Sequence, residues 1–176
     1  MDRTTTTRPA PTEPPAFIDF AAARGRHLIR TAYLLTGGDA HLAEDLAQEA
    51  LGRLFGQWRK VSRMANPAGY AQTVLVNTFL SWRRRRSSSE HVTDTFAEPA
   101  VAAPDHALRV TLLRALGELP PPDRAVLVLR YWEDRSAEET AAVLRLSPGA
   151  VRVRSSRALA RLRTVLGEEL DELVHP

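Results

Sequence analysis

From Phe17 onward, apolar residues recur at intervals that fit a helix: Phe17, Phe20, Leu28, Ala32 and Leu35 share one stripe, and the pattern stops at Thr36-Gly37-Gly38. That spacing predicts an amphipathic helix, with the paired glycines able to end it. Asp39 is suited to cap a second helix, in which Ala43, Leu46, Ala47, Ala50, Leu54 and Trp58 keep the three-and-four spacing. Asp45, Gln48, Glu49 and Gly52 fall on its other face. A basic loop from Arg59 then leads to Asn66-Pro67, where Asn can cap and Pro suits a first helical turn. In the third helix Ala71, Val74, Leu75, Phe79 and Trp82 make the core stripe, Tyr70, Thr73, Asn77 and Ser81 lie on other faces, and the run Arg83 to Arg86 closes it. Cations in a last helical turn also suit the negative end of the helix dipole, so part of that run has a structural explanation.

Between Ser87 and Pro104 the periodicity lapses into Ser, Thr, Glu, Ala and Pro, the composition of a flexible linker. Beyond it Leu108, Leu112, Ala115, Leu116 and Leu119 predict a helix that Pro120-Pro121-Pro122 terminates, and Asp123 to Trp132 a second, shorter one. Ser136-Ala-Glu-Glu139 is a capping box for a short helix over Ala137 to Leu144. After Arg145-Leu146, Ser147-Pro148 opens a longer helix running to about Leu166, before Gly167. Short helix, tight turn and longer helix make a helix-turn-helix. Residues 1–15, rich in Thr and Pro, cannot offset the entropy of ordering and read as a disordered tail. The expected plan is all-α: tail 1–15, helical domain 16–86, linker 87–104, helix-turn-helix domain 105–170 and tail 171–176.

Composition agrees and adds a partner class. Only 6% of the 176 residues are aromatic, while Ala, Leu and Arg dominate, which favours helices over strands. The net charge is only +3, yet every basic side chain except Lys60 is Arg, and the pI is about 9.9. Arg bonds phosphate and guanine in bidentate fashion, so nucleic acid is a leading candidate partner, although a GC-rich genome would also enrich Arg codons. With no Cys, disulfides and thiolate metal sites are excluded. His27, His41, His91, His106 and His175 show no metal-ligand spacing, and neither a Gly-rich phosphate loop nor a nucleophile-base pair is present, so no cofactor, metal or enzymatic activity is expected. Without a secretory apolar run or a stretch of membrane-spanning length, the expected location is the cytoplasm.

The longer helix carries the sharpest signal. On a helical wheel Val151, Ser155, Ala158, Leu159, Leu162, Val165 and Leu166 cluster on one side, which should pack. The other side presents Val153, Ser156, Arg157 and Ala160, flanked by Arg152, Arg154, Arg161 and Arg163, with no acidic residue from Arg145 to Val165. Small residues allow close approach to a major groove, Arg can pair with guanine, and an exposed Val can touch a thymine methyl. The competing reading is a helical hairpin whose solvated face happens to be Arg-rich.

These segments are similar to a known family. Leu119-Pro, Asp123-Arg, Leu127-Val-Leu-Arg-Tyr-Trp132, Ser136-Ala-Glu-Glu-Thr-Ala141 and Gly149-Ala-Val-Arg152 resemble region 4 of sigma-70 family factors. Ala43-Glu-Asp-Leu-Ala-Gln-Glu-Ala50 with Trp58 resembles region 2.2, and Pro67 to Arg86 resembles regions 2.3 and 2.4. Two regions in this order without region 3 match the extracytoplasmic-function (ECF) group, of actinobacterial type. The resemblance implies that Asp45, Gln48 and Glu49 dock on the clamp helices of the largest subunit of core RNA polymerase, with the flap of the second-largest subunit as a further contact. It implies that the Arg59 to Pro67 loop, with Lys60, Arg63, Tyr70 and Asn77, receives a flipped base of the minus-10 strand. The loop lacks the acidic and aromatic residues common in relatives. Arg152, Val153, Ser156 and Arg157 fall on the family's minus-35 base-reading positions, with Arg154, Arg161 and Arg163 as positioning contacts and Arg83 to Arg86 beside the promoter backbone.

The function implied is promoter-specific transcription initiation, with one domain gripping polymerase and the minus-10 strand, the other the minus-35 duplex, and the linker raising their effective concentration. An anti-sigma factor is a further candidate partner, and free protein is expected to hide its DNA surfaces by compaction or beneath such a partner. The alternative is a stand-alone helix-turn-helix transcription regulator, which would dimerise and bind a palindromic duplex without polymerase.

Overall fold

The structure, a computed structural model, describes residues 16–88 and 104–174. The expected tail over 1–15, most of the expected linker and the last residues lie outside the described residues. Among the described residues eight α-helices follow in order: α1 Phe17–Thr36, α2 Ala40–Phe55, α3 Trp58–Val61, α4 Pro67–Ser88, α5 Pro104–Glu118, α6 Pro121–Leu127, α7 Ala137–Leu144 and α8 Pro148–Val174. Between α6 and α7 the chain widens into a π-type turn, Val128–Trp132.

The turns form where local chemistry demands them. Gly37 ends α1 in the left-handed region at φ 73°, and its amide and that of Gly38 return to the carbonyls of Leu34 and Tyr33. Asp39 accepts a 2.9 Å bond from the Leu42 amide to start α2, and Asn66 accepts one of 2.8 Å from the Gly69 amide at the start of α4. The capping box at Ser136 is complete: the Glu139 amide donates to the Ser136 hydroxyl at 3.0 Å, and the Ser136 amide to the Glu139 carboxylate at 2.7 Å. Arg145 adopts φ 56° in the tight turn, and Ser147 caps α8 by accepting from the Ala150 amide at 3.1 Å.

Helices α1, α2 and α4 pack around Leu28, Ala32, Leu35, Leu46, Leu54, Leu75 and Phe79, all buried. At the open end of this bundle Phe17 meets the Phe55 and Trp58 rings edge-on at 5.2 and 5.4 Å. Helices α5 to α8 form the second unit, in which Leu116, Leu119, Leu127 and Ala158 make one buried group and Val126, Ala137, Ala141 and Val151 another.

The two units do not stand apart. Ala125, Val128, Leu129 and Val143 of the second belong to the same buried cluster as the first unit's core. Gly37 lies so close to α5 that a Cβ there would sit 2.7 Å from the Gly117 Cα. Arg124, 1% exposed, reaches between the units, donating to the carbonyls of Leu35 at 2.7 Å, Leu119 at 3.1 Å and Gly117.

Four expectations change in detail. The Arg59 stretch is not all loop, because Trp58 to Val61 closes one helical turn and buries Val61 in the first core. The short helix after Pro120 loosens into the π-type turn at Val128. Helix α8 continues through Gly167 to Val174, since one glycine costs only about 1 kcal/mol in a helix and good helix formers follow it. The stripe of α5 is rotated: Leu108 and Leu112 are 53% and 37% exposed, whereas Thr111 and Leu113 are buried with Ala115, Leu116 and Leu119. The reason is tertiary, since α5 packs against α1 as well as α8 and Leu113 meets the Gly38 turn.

Candidate nucleic-acid interface

On α8 the inward and outward faces divide as the wheel predicts. Val151, Ser155 and Ala158 are buried, and Leu159, Leu162, Val165 and Leu166 are half-buried. Ser155 also bonds the Tyr131 hydroxyl at 3.1 Å, which fixes the rotation of the helix against the second unit. Arg152, Val153, Ser156, Arg157, Ala160, Arg161 and Arg163 are exposed, Val153 at 51%. Arg154 is half-buried and bonds Asp123 at 2.9 Å, and Arg152 pairs with Glu138 on α7. Both partners are carboxylates that a phosphate could replace.

The box at the start of α7 closes the N-terminus of this helix. Hydrogen bonds from the Ser136 amide first, then its side chain, together with the nearby Arg135 charge, hold the Glu139 carboxyl below its ordinary range. Glu139 therefore stays ionised and keeps the N-terminus of α7 closed.

The arginine run at the end of α4 meets the second unit. Arg83 and Arg86 lie over the Trp82 ring at 5.4 and 5.0 Å, and Arg84 donates to the Ser81 hydroxyl at 3.0 Å. With Arg154 of α8 they border a groove of about 610 Å³, floored by Leu80, Leu144 and Leu146. The sequence predicted each basic segment separately and not their convergence on one groove.

Asp45, Gln48 and Glu49 stand exposed along one face of α2, clear of the core formed by Ala43, Leu46, Ala47 and Ala50. Glu49 pairs with Arg53 one turn later at 2.6 Å, a solvated contact of small worth.

A second cavity, of about 440 Å³, opens where α4 begins, lined by Met64, Asn66, Gly69, Tyr70, Gln72 and Thr73. Of the four residues expected to receive the minus-10 strand, the half-buried Tyr70 lines it, whereas Lys60, Arg63 and Asn77 are exposed and do not. Its far wall is Glu133, Asp134, Arg135 and Glu139 from the second unit. The Glu133 carboxylate, only 2% exposed, accepts from His27 Nε2 at 2.8 Å, from Thr31 Oγ1 and from Gln72 Nε2. Arg135 donates to the Gly69 carbonyl at 2.6 Å, the Gln72 side chain at 2.8 Å and the Thr73 hydroxyl at 3.3 Å. Trp132 stacks on His27 at 6.2 Å and donates to Thr31 at 3.1 Å. None of Gln72, Thr73, His27 and Glu133 was singled out as a site residue from sequence. Gln72 lies two residues after Tyr70 on a polar flank of α4, the one signal that could have drawn attention to it. The second unit thus packs over the start of α4, whereas the outward face of α8 is exposed.

Among the described residues no group of three or more His, Asp and Glu could hold a metal ion, and no helix is long and apolar enough to cross a membrane.

A family model described as Sigma-70 region 2 matches residues 20–89, and one described as Sigma-70, region 4 matches residues 109–162, so that each falls on one of the two helical units. RNA polymerase sigma-E factor of Streptomyces coelicolor is 39% identical over 152 residues, covering 85% of each chain. The chain belongs to the sigma-70 family. It is a sigma factor of the ECF group. A second relative, RNA polymerase sigma-E factor of Streptomyces antibioticus, is 40% identical over 126 residues, or 70% of each chain. The sigma factor RpoE of Bartonella quintana, solved in complex with the anti-sigma factor NepR, superposes with a TM-score of 0.70 at 25% identity, covering 86% of this sigma factor and 96% of that chain. The extracytoplasmic function sigma factor SigJ of Mycobacterium tuberculosis gives 0.60 at 28% identity, covering 84% of this sigma factor and 53% of that chain.

Proposed function

We propose that this sigma factor divides promoter recognition between its two units, with α8 reading the minus-35 duplex, the start of α4 holding the melted minus-10 strand, and the exposed face of α2 docking on core polymerase. A sigma factor directs promoter-specific initiation by RNA polymerase, and the open question is which of its residues do so. The observation that carries the assignment is the division of α8: Arg152, Val153, Ser156 and Arg157 face solvent while Val151, Ser155 and Ala158 anchor the helix. In a major groove Arg152 and Arg157 contact guanine edges or phosphate, Val153 and Ser156 lie against bases, and Arg154, Arg161 and Arg163 position the helix on the backbone.

Asp45, Gln48 and Glu49 meet the clamp helices of the largest subunit, and the second unit meets the flap of the second-largest. Lys60, Arg63 and Asn77 act around the strand-binding cavity as electrostatic and edge contacts, with Tyr70 as its stacking ring. Arg83 to Arg86 add salt-sensitive attraction to the promoter backbone. The chain supplies no catalytic group of its own, works in the cytoplasm, and is open to control by an anti-sigma factor.

The test is reconstitution with core polymerase and transcription from a promoter library. Arg157→Ala is expected to keep polymerase while losing about tenfold or more in minus-35 selectivity, one bidentate contact being worth roughly 1–3 kcal/mol. Glu49→Ala is expected to weaken assembly with core enzyme and leave promoter preference intact. Unchanged selectivity and unchanged assembly would remove both assignments, and a dimer that binds palindromic duplex without polymerase would point to a stand-alone regulator.

A further inference from the structure

We infer that Glu138, at the start of α7, is a specificity-determining residue of the minus-35 contact: it restrains the Arg152 guanidinium from the sugar-phosphate backbone and leaves it free for a base edge. The inference rests on reading α8 as the helix that enters the minus-35 groove.

Glu138 is the second residue of α7, and Arg152 the first arginine of α8. Arg152 Nη2 donates to Glu138 Oε1. A guanidinium carries five N–H groups, so a carboxylate held through one of them leaves an edge with two donors intact. Two donors are what the O6 and N7 of guanine require, and the ion pair can therefore persist while Arg152 reads a base. A phosphate arriving at the same edge brings a second anion against the Glu138 carboxylate, whereas the guanine edge is neutral. The pair thus penalises the contact that carries no sequence information and spares the one that does.

The placement is fixed from beneath. Ala137 and Val151, each one residue before a member of the pair, are buried in the same cluster, which seats α7 on α8 at this point. Ser136 caps the first turn of α7 and Ser147 that of α8, so both backbones are held. The pair itself lies at the surface, the Arg152 and Glu138 side chains being 62% and 60% exposed, and its attraction contributes little to folding. Glu138 also takes no part in the capping box, whose carboxylate comes from Glu139. What the contact supplies is orientation: Arg152 has less freedom to reach a nearby phosphate, and less rotamer entropy remains to be lost when it meets a base.

The test uses holoenzyme and a promoter library randomised across the minus-35 element with the minus-10 sequence held constant. Binding to a scrambled duplex is followed against salt. Glu138→Gln keeps the shape of the side chain and removes its charge. It is expected to relax preference by about threefold or more at one base-pair position, the position that Arg152→Ala also relaxes. It should tighten binding to the scrambled duplex and steepen the salt slope by about one, as Arg152 turns to phosphate. In an Arg152→Ala background, Glu138→Gln should alter neither preference nor slope. Unchanged far-ultraviolet circular dichroism is the check on folding. Affinity that rises equally for every sequence with no position relaxed makes Glu138 a repulsive charge only, and overturns the inference. The same change with and without Arg152, or no change at all, overturns it as well. All three results leave the minus-35 reading of Arg152 intact, provided that Arg152→Ala relaxes a position. Should Arg152→Ala relax none, that reading falls and this inference with it.

Discussion

Arg124 shows how one side chain can tie two units through backbone carbonyls. Its guanidinium is buried, donates to three carbonyls at the ends of α1 and α5, and lies 5.9 Å from the Phe79 ring centre. Those carbonyls belong to helix C-termini, whose last oxygens have no partner within the helix and carry partial negative charge. A cation there satisfies several acceptors at once. Arg124→Met would fill much of the same volume and leave those acceptors dry, each costing about 1–3 kcal/mol unless water enters. The expected loss is about 3 kcal/mol of stability, or roughly 6–12 °C in melting temperature for a chain of this size. Urea and thermal unfolding of the purified variant check it, and a change within a fraction of a kcal/mol would show the contact to be dispensable. Sequence pattern could not mark Arg124 as buried, because Arg is seldom fully buried and the carbonyls it reaches are backbone atoms without identity.

Helix starts were the easiest features to read in advance, because N-terminal capping is local chemistry. Asp39, Asn66, Ser136 and Ser147 all cap the helices their spacing indicated. The outward face of α8 was equally plain, since a long, acid-free helix with a regular stripe leaves little choice of rotation. Helix α5 was misread at Leu108 and Leu112 because its burial is decided by α1, far away in sequence. The start of α7 supports an expectation at this level. Ser136→Ala should destabilise the second unit by about 1 kcal/mol through loss of the cap. Glu139 contributes while ionised, and its folded value lies below the ordinary one. Its stabilising effect is therefore complete above the ordinary glutamate range and is lost as pH falls through the lower folded value. Glu139→Gln should flatten that acid limb, which amide exchange across Ala137 to Leu144, followed against pH, would measure.

The whole molecule departs furthest from what the chain announced. Pattern divided it correctly into two helical units, yet nothing local shows that His27, Thr31 and Gln72 meet Glu133 across 61 to 106 positions. Such contacts join residues that are individually unremarkable on a polar flank, and only the packing of Val128, Leu129 and Val143 into the first core brings them together.

That shared core has a consequence for handling the protein in solution. When the halves part, Ala125, Val128, Leu129 and Val143 lose their cover, and so does the strip around Leu35 and Phe79 that received them. Newly bared oily surface seeks other oily surface, including that of a neighbouring copy. A Glu133→Ala, Arg135→Ala variant, which loses polar contacts that join the halves, should therefore self-associate at concentrations where wild type stays monodisperse by light scattering, and an equal amount of core polymerase should restore clear solution. A closed copy keeps well alone, whereas an open one needs company.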